Sequence, residues 1–364
     1  MKIAYVMSHR ELNGVTASGT AQIRALLDRG HEMYLVHRPD AWIGAQTFEG
    51  PIHRYPIDMG GRSMNRPAIT QLRDDLKAAG VEVVYSHGTQ ANRISALWRR
   101  QGAFPVLAKA AARIWHPHWR WQHIIISPGQ PTADWLVVNW LARRKNIQVI
   151  PNFVRTGDII RRSPDTRAEA RQALGLDPDI FALVMVGTID ARKNQAAVVP
   201  LLAELARRGI PTKAVLIGSP GEAEVAKIHA GCAQAGLVDA VQLLGHRDDA
   251  RRLLPAFDAL VSTSLDEQAP VTVVEALATG LPVVSTPVGN VPFLIQTGVN
   301  GALINLSDPT EAVDYMQMLA TDEDAVAAQS AAARATFDER LSEDDIVARI
   351  EDTFRIAIDR YKRR

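Results

Sequence analysis

Two carboxylates, Glu267 and Glu275, stand eight positions apart, and two adjacent cations, Arg192 and Lys193, precede them. Glu267 falls in a polar loop after the apolar run Ala259-Leu260-Val261, which reads as a buried strand. Glu275 falls in the second turn of a helix that Pro270 opens and Gly280 closes. Pro282–Ser285 is the next strand, so the stretch is one β–loop–α–β unit. Its helix starts at the carboxyl ends of parallel strands, where such sheets bind ligands. Ala269 and Pro270 lead into that start, and the N–H groups of Val271 and Thr272 are free there to meet an anion. Both carboxylates can then reach one ligand lying across the helix start. Arg192 and Lys193 close the loop GTIDARK, which follows the apolar run Phe181–Val186 and Gly187. Cations at a helix start are unfavourable unless an anion offsets them, so Arg192 and Lys193 read as ligands of an anion.

The elements that position them form a repeated α/β pattern. After the run at 181–186 come a helix over Gln195–Arg208, a strand at Ala214–Gly218 and a helix over Glu222–Ala235. A strand at Val241–Leu244 then leads into Gly245-His246-Arg247, and Asp249–Leu254 reads as helical. Upstream, strands are expected at Met1–Ser8, Met33–His37, Val81–His87, Pro105–Ala108, Ile124–Ser127 and Ile147–Ile150. Between the first two, Asn13-Gly14 opens what reads as a small-residue loop bracketed by Gly14 and Gly19, with a helix over Ala21–Asp28. Such a loop lets a phosphate approach closely, although neither a P-loop lysine nor a G-x-G-x-x-G pattern is present. Ser163 or Asp165 caps a helix over Thr166–Leu174. Asp177-Pro178-Asp179 has the D-x-D spacing of some metal sites, but Pro makes a turn the better reading.

Composition narrows the class. The 364 residues allow two domains, each with its own core. Hydrophobic residues at 47% and charged residues at 22% describe a globular chain. One cysteine, Cys232, excludes an internal disulfide and suits a reducing compartment. MKIAYVMS already reads as a strand, so no signal peptide is expected, and no apolar run approaches membrane-span length. The net charge of +1 hides a polarised molecule. Residues 1–165 hold 22 Lys and Arg against 12 Asp and Glu, whereas residues 166–364 hold 19 against 28. All seven tryptophans, from Trp42 to Trp140, lie in the basic half. That combination points to an anionic or membrane-borne partner, and equally to tryptophans spent on a core.

The stretch Glu267, QAPVTVV, Glu275, then ALATGLPVV resembles the signature of family-4 retaining glycosyltransferases. The resemblance implies the GT-B fold, an α/β class with two Rossmann-like domains facing a central cleft. Ile150-Pro151-Asn152 resembles the turn that ends the family's first domain. An N-terminal domain at 1–158 is therefore expected, then a nucleotide-sugar domain at 159–342, with the amphipathic helix 343–364 packing back on the first. By the same resemblance Glu267 addresses the donor sugar and Glu275 the ribose. The backbone N–H groups of Ala269, Val271 and Thr272, flanking Pro270, hold the diphosphate together with Gly187. GTIDARKNQ is similar to the family's Gly-Arg-x4-Lys loop, with Lys193 on the Lys, Thr188 in place of the Arg, and Arg192 as its substitute. His246 and Arg247 border the base, and Gly14 falls in the loop that resembles the family's Gly-Gly loop.

On the acceptor side, His87 ends a strand as a His often does in the family, while Lys109-Ala110-Ala111 fill the place of another cleft His. The segment RIWHPHWRW, with His116 and Trp119, reads as an acceptor platform or a lipid-interface surface. His116 and His118 lack the further ligands a metal needs, so no metal is expected. The implied activity is transfer of a sugar, with retention, from a UDP- or GDP-linked donor to a glycan or lipid-linked acceptor. No separate cofactor is needed. An anionic membrane surface is an expected partner and nucleic acid is not. The expected location is cytoplasmic, peripheral at the inner face of the membrane. The alternatives are a non-catalytic sugar-nucleotide-binding protein and a sugar-nucleotide epimerase of the same fold.

Overall fold

The structure is a computed structural model, and it describes residues 1–61 and 63–363. The chain forms two compact units: Met1–Arg155 with the segment from Glu343 onward, and Thr156–Ser342. Each is a parallel α/β sheet with helices between its strands.

Unit 1 runs β1 (Lys2–Met7), α1 (Gly14–Asp28), β2 (Glu32–His37), β3 (Ile52–Pro56), α2 (Arg66–Ala78), β4 (Val83–His87) and α3 (Thr89–Arg100). It continues with β5 (Val106–Lys109), β6 (Ile124–Ser127), α4 (Gln130–Val138) and β7 (Ile147–Val149). The strand order is β3-β2-β1-β4-β5-β6-β7, every pairing parallel. Helices on both faces bury the sheet twice, so β1 is buried without a break from Ile3 to Met7, not on alternate residues as expected of Met1–Ser8, and β4 is buried throughout. Only the edge strand β3 keeps exposed residues along its length. The carboxy-terminal helix, Glu343–Lys362, buries Ile346, Ile350 and Phe354. Glu351 binds His31 at 2.7 Å and Arg29 at 3.4 Å, and Arg360 donates to the carbonyl of His123. Of the basic end of this helix, Arg364 lies outside the described residues.

One local expectation fails. The stretch after Asn13 is not a loop: α1 begins at Gly14, and Asn13 caps it. The Asn13 carboxamide oxygen accepts from the N–H of Val15 (2.9 Å) and Thr16 (3.2 Å), and the Thr16 hydroxyl accepts from the Asn13 N–H. That reciprocal pair satisfies the first amides and starts the helix two turns early. Gly14 is therefore a first-turn helical residue rather than a loop residue. Gly19 is a packing residue: a Cβ there would lie 2.5 Å from Met7 Cε and 3.2 Å from the Tyr5 hydroxyl.

Unit 2 runs α5 (Pro164–Leu174), β8 (Phe181–Val186), α6 (Val198–Arg207), β9 (Thr212–Ile217), α7 (Glu222–Gln234), β10 (Val241–Gly245) and α8 (Ala250–Leu253). Then come β11 (Ala259–Ser262), α9 (Val271–Thr279), β12 (Val283–Ser285), α10 (Val291–Leu294), β13 (Gly301–Leu303), α11 (Thr310–Thr321) and α12 (Glu323–Arg340). The order β10-β9-β8-β11-β12-β13 reverses direction between β8 and β11, again all parallel. Its core gathers Leu183, Leu202, Leu216, Val261, Val284 and Met316. Buried Asp258 fastens α5 to the sheet. It pairs with Arg162 and Arg167 at 3.0 Å and Arg171 at 3.4 Å, and accepts the Ala182 N–H. Asp177 accepts the N–H of Asp179, so the D-x-D segment is a turn.

Candidate functional site

The loops after β8 and β11 leave the sheet side by side, because these strands are hydrogen-bonded neighbours at the reversal of strand order. Backbone contacts lock the two loops together. The Leu265 N–H donates to the Arg192 carbonyl at 2.8 Å, and the Thr263 hydroxyl donates to the carbonyls of Lys193 and Asn194. Asn194 takes a left-handed conformation (φ 52°), which turns the chain into the helix that follows. Asn tolerates that region better than most residues.

This clamp brings Arg192, Lys193 and Glu267 together. Glu267 Oε1 accepts from Arg192 Nη1 and Lys193 Nζ, both at 2.6 Å. Arg192 also donates to the Asp266 carbonyl at 3.0 Å. Two cations thus share one carboxylate, with the carboxylates of Asp190 and Asp266 also close to Arg192. Gly187 adopts φ 137°, and a Cβ on it would lie 3.4 Å from Lys193 Nζ. The lysine therefore lies across the glycine, where any side chain would crowd it.

α9 begins at Val271, with Pro270 in the capping position and no side chain capping its first amides. It ends at Gly280 in a left-handed conformation. Glu275 is buried on α9, and its carboxylate accepts from Arg251 Nε at 2.6 Å. Burial raises the Glu275 pKa, and Arg251 opposes that rise. Arg251 reaches it from α8 and was not among the residues singled out in the sequence, where nothing local links the two. His246 is half exposed beside Asp248, at 3.2 Å. Arg247 makes two hydrogen bonds to Asp249, at 2.8 and 2.7 Å.

Unit 1 places His87 at the carboxyl end of β4, fully buried, with Nδ1 3.4 Å from the Tyr5 hydroxyl. Its Nε2 is buried without a hydrogen-bond partner among the described residues. Burial, with Lys109 and His9 nearby, holds the ring well below the usual histidine range. Lys109 ends β5 and is also buried. Its ammonium donates to Asn152 Oδ1 at 2.7 Å and Ser18 Oγ at 3.2 Å. Burial brings its pKa down to about 7. The sequence showed Lys109 only as a residue standing where a His was expected.

The aromatic segment needs a correction. Trp119 is a core residue, 3% exposed, with its indole N–H bonded to the Ile114 carbonyl at 3.0 Å. His116 stacks on it at 4.4 Å between ring centres and is itself buried, which lowers its pKa to about 4. Neither offers an open platform, because the short helix at 117–121 folds both rings inward. Among the described residues no three His, Cys, Asp or Glu side chains converge as a metal-binding group. No helix among them is long and apolar enough to cross a membrane.

Comparison with known proteins places these features. Residues 166–336, within unit 2, match the family described as "Glycosyl transferases group 1". The chain is 33% identical over 177 residues to the D-inositol 3-phosphate glycosyltransferase of Mycolicibacterium vanbaalenii, covering 45% of this chain and 39% of that protein. It is 26% identical over 212 residues to the N-acetyl-alpha-D-glucosaminyl L-malate synthase of Bacillus anthracis, covering 57% and 53%. The chain thus spans about two-fifths to half of the curated relatives it matches. In structure it is similar to Anabaena HepE solved with UDP, with a TM-score of 0.83, 20% identity, and 97% and 99% of the two chains covered. It is also similar to WaaG, a glycosyltransferase involved in lipopolysaccharide biosynthesis, with a TM-score of 0.70 and 16% identity over 97% and 99%. Two parallel-sheet Rossmann-like units of this kind are the GT-B fold.

Proposed function

We propose that this protein is a retaining glycosyltransferase that takes its sugar from a nucleotide diphosphate. The observation that carries the reading is the trio Arg192, Lys193 and Glu267, held at the strand ends where α9 also begins. An entering diphosphate draws Lys193 and Arg192 to itself and meets the amides of Val271 and Thr272. Glu267, relieved of its cations, then turns to the hydroxyls of the donor sugar. Glu275, beside Arg251, hydrogen-bonds the ribose. HepE has been solved with UDP and with UDP-glucose, which supports a UDP-linked donor, with a GDP-linked one as the second choice. The acceptor is a glycan or lipid-linked hydroxyl.

In the reaction the bond from the anomeric carbon to the β-phosphate oxygen breaks first. The acceptor oxygen bonds to that carbon from the same face, and its proton passes to the departing phosphate oxygen. Negative charge that grows on the β-phosphate is met by Lys193 and Arg192, so no metal ion is required. Turnover of labelled UDP-glucose or GDP-mannose, followed with and without EDTA, tests this. Label should pass to an acceptor and the rate should survive chelation. Loss of all turnover on chelation, restored by Mn²⁺ or Mg²⁺, overturns the metal-free scheme. Tight nucleotide binding with no transfer to any acceptor favours the binding-protein alternative.

A further inference from the structure

Unit 1 carries a cavity of about 950 Å³ that the proposed chemistry does not use. Its lining comes from the end of α3, from the segment just before β6, and from the stretch between α4 and β7. Each of these immediately precedes a strand of a parallel sheet. The cavity therefore lies at the sheet's amino-terminal edge, away from His87 and Lys109 at the carboxyl ends of β4 and β5.

The lining is cationic and aromatic. Arg100, Arg120, Arg143 and Arg144 contribute to it, and no Asp or Glu does. Among the described residues Arg144 alone of these four pairs with a carboxylate, that of Asp134. Arg100 instead lies 5.0 Å from the ring centre of Trp121, and Arg120 Nε donates to the Trp140 carbonyl at 2.9 Å. A smaller adjoining cavity of about 340 Å³ adds Lys145 and Arg360.

Large apolar groups stand at the end of α4. Val138 is 74% exposed and Trp140 80% exposed, and both line the cavity. Trp140 has φ 55°, a left-handed conformation that a bulky side chain rarely adopts. Its carbonyl is held there by Arg120 while the indole stays in solvent. A soluble anion would call for the arginines but leaves exposed Val138 and Trp140 without a purpose. Guanidinium groups sharing one lining with an exposed indole and an exposed aliphatic side chain match a phosphate at a lipid–water boundary, with the apolar groups entering beside the chains.

We propose that this cavity binds the headgroup of an anionic phospholipid and seats unit 1 on a bilayer surface. Arg100, Arg120 and Arg143 hold the phosphate, and Val138 and Trp140 enter at the level of the glycerol backbone. The site is independent of the transferase reading, since it shares no residue with the Glu267 trio.

Co-sedimentation of the full chain with phosphatidylcholine vesicles, with and without phosphatidylglycerol, tests the proposal. Binding should require phosphatidylglycerol and weaken as salt rises. Arg100→Gln with Arg143→Gln should lower partitioning on the order of fivefold per arginine removed. Trp140→Ser should lower it while leaving the salt dependence intact. Thermal melting of each variant shows that the fold survives, and glycerol phosphate serves as the soluble probe. Equal binding to both vesicle types overturns the proposal, as does wild-type binding by the arginine and tryptophan variants. Saturable glycerol phosphate binding without vesicle binding also overturns it, because the site then serves a soluble phosphate.

Discussion

Lys193 and Lys109 both sit where a parallel strand ends, yet their environments differ. Lys193 follows β8, keeps some contact with solvent and shares Glu267 with Arg192 at 2.6 Å. Lys109 ends β5, is buried, and has two neutral oxygens, from Asn152 and Ser18, within reach. A carboxylate faces the first lysine, and some water still reaches it. Without either, the second is brought down to about 7. The carboxyl end of a parallel sheet thus holds a carboxylate-paired lysine in one unit and a buried lysine without a carboxylate in the other. The difference is what faces the ammonium, not the strand that carries it.

The largest expected effect concerns Lys109. A lysine moved from its ordinary range to about 7 binds its proton more weakly folded than unfolded. The unfolded chain thus holds more protons between pH 7 and the ordinary lysine range, and stability rises with pH across that window. A shift of this size corresponds to ~5 kcal/mol at most. Melting temperature should therefore climb from pH 7 to about 9.5, below the range in which the buried tyrosines Tyr5 and Tyr85 reverse the trend. Lys109→Met should flatten the climb and be more stable at pH 7. A wild-type profile that is flat, or one unchanged by the substitution, would show that Lys109 is solvated.

Next comes Lys193. Removing a preorganised donor that meets charge developing in the transition state costs ~2.7–4 kcal/mol, about a hundred- to a thousand-fold in kcat. Lys193→Ala should show that loss with a much smaller rise in donor KM. Arg192→Ala should match it if Arg192 replaces the arginine that Thr188 displaces, and fall short if it only supports Lys193. Near-wild-type kcat in both single variants and in the double variant would place the diphosphate elsewhere.

The third effect is smaller and separates structure from binding. Glu275→Gln keeps the shape of the side chain but gives Arg251 a neutral partner. Loss of a charged hydrogen bond is worth about 1.5–3 kcal/mol, and thermal unfolding should register it. Calorimetry should also show weaker binding of a nucleoside diphosphate. Lower stability with unchanged affinity would assign Glu275 to the Arg251 pair alone.

The α/β class was readable because strands covered on both faces leave nearly continuous apolar runs such as LVMV, ALV and PVV. Edge strand β3, IHRYP, exposes much of its length and lacks that signature, and β13 is only three residues long. Neither stood out. The early start of α1 was written in Asn13 and Thr16, but the glycines around them resembled a loop more strongly than the capping pair resembled a helix. Tryptophan shows the limit of composition: Trp119 and Trp140 count alike in the sequence, yet one is 3% exposed and the other 80%.

What the sequence determined by itself was therefore local: which runs become strands, where Gly280 stops a helix, and which loops carry Glu267, Arg192 and Lys193. Side-chain periodicity and turn chemistry act over a few residues, so they can be read without the fold. Only the tertiary structure decided the partners. Glu267 meets Lys193 because β8 and β11 lie side by side. Arg251 meets Glu275 because α8 packs near α9. Lys109 is pushed below the ordinary lysine range because the strand end, α1 and Asn152 close over it together. Desolvation and ion pairing depend on what surrounds a group in space, and no spacing along the chain encodes that.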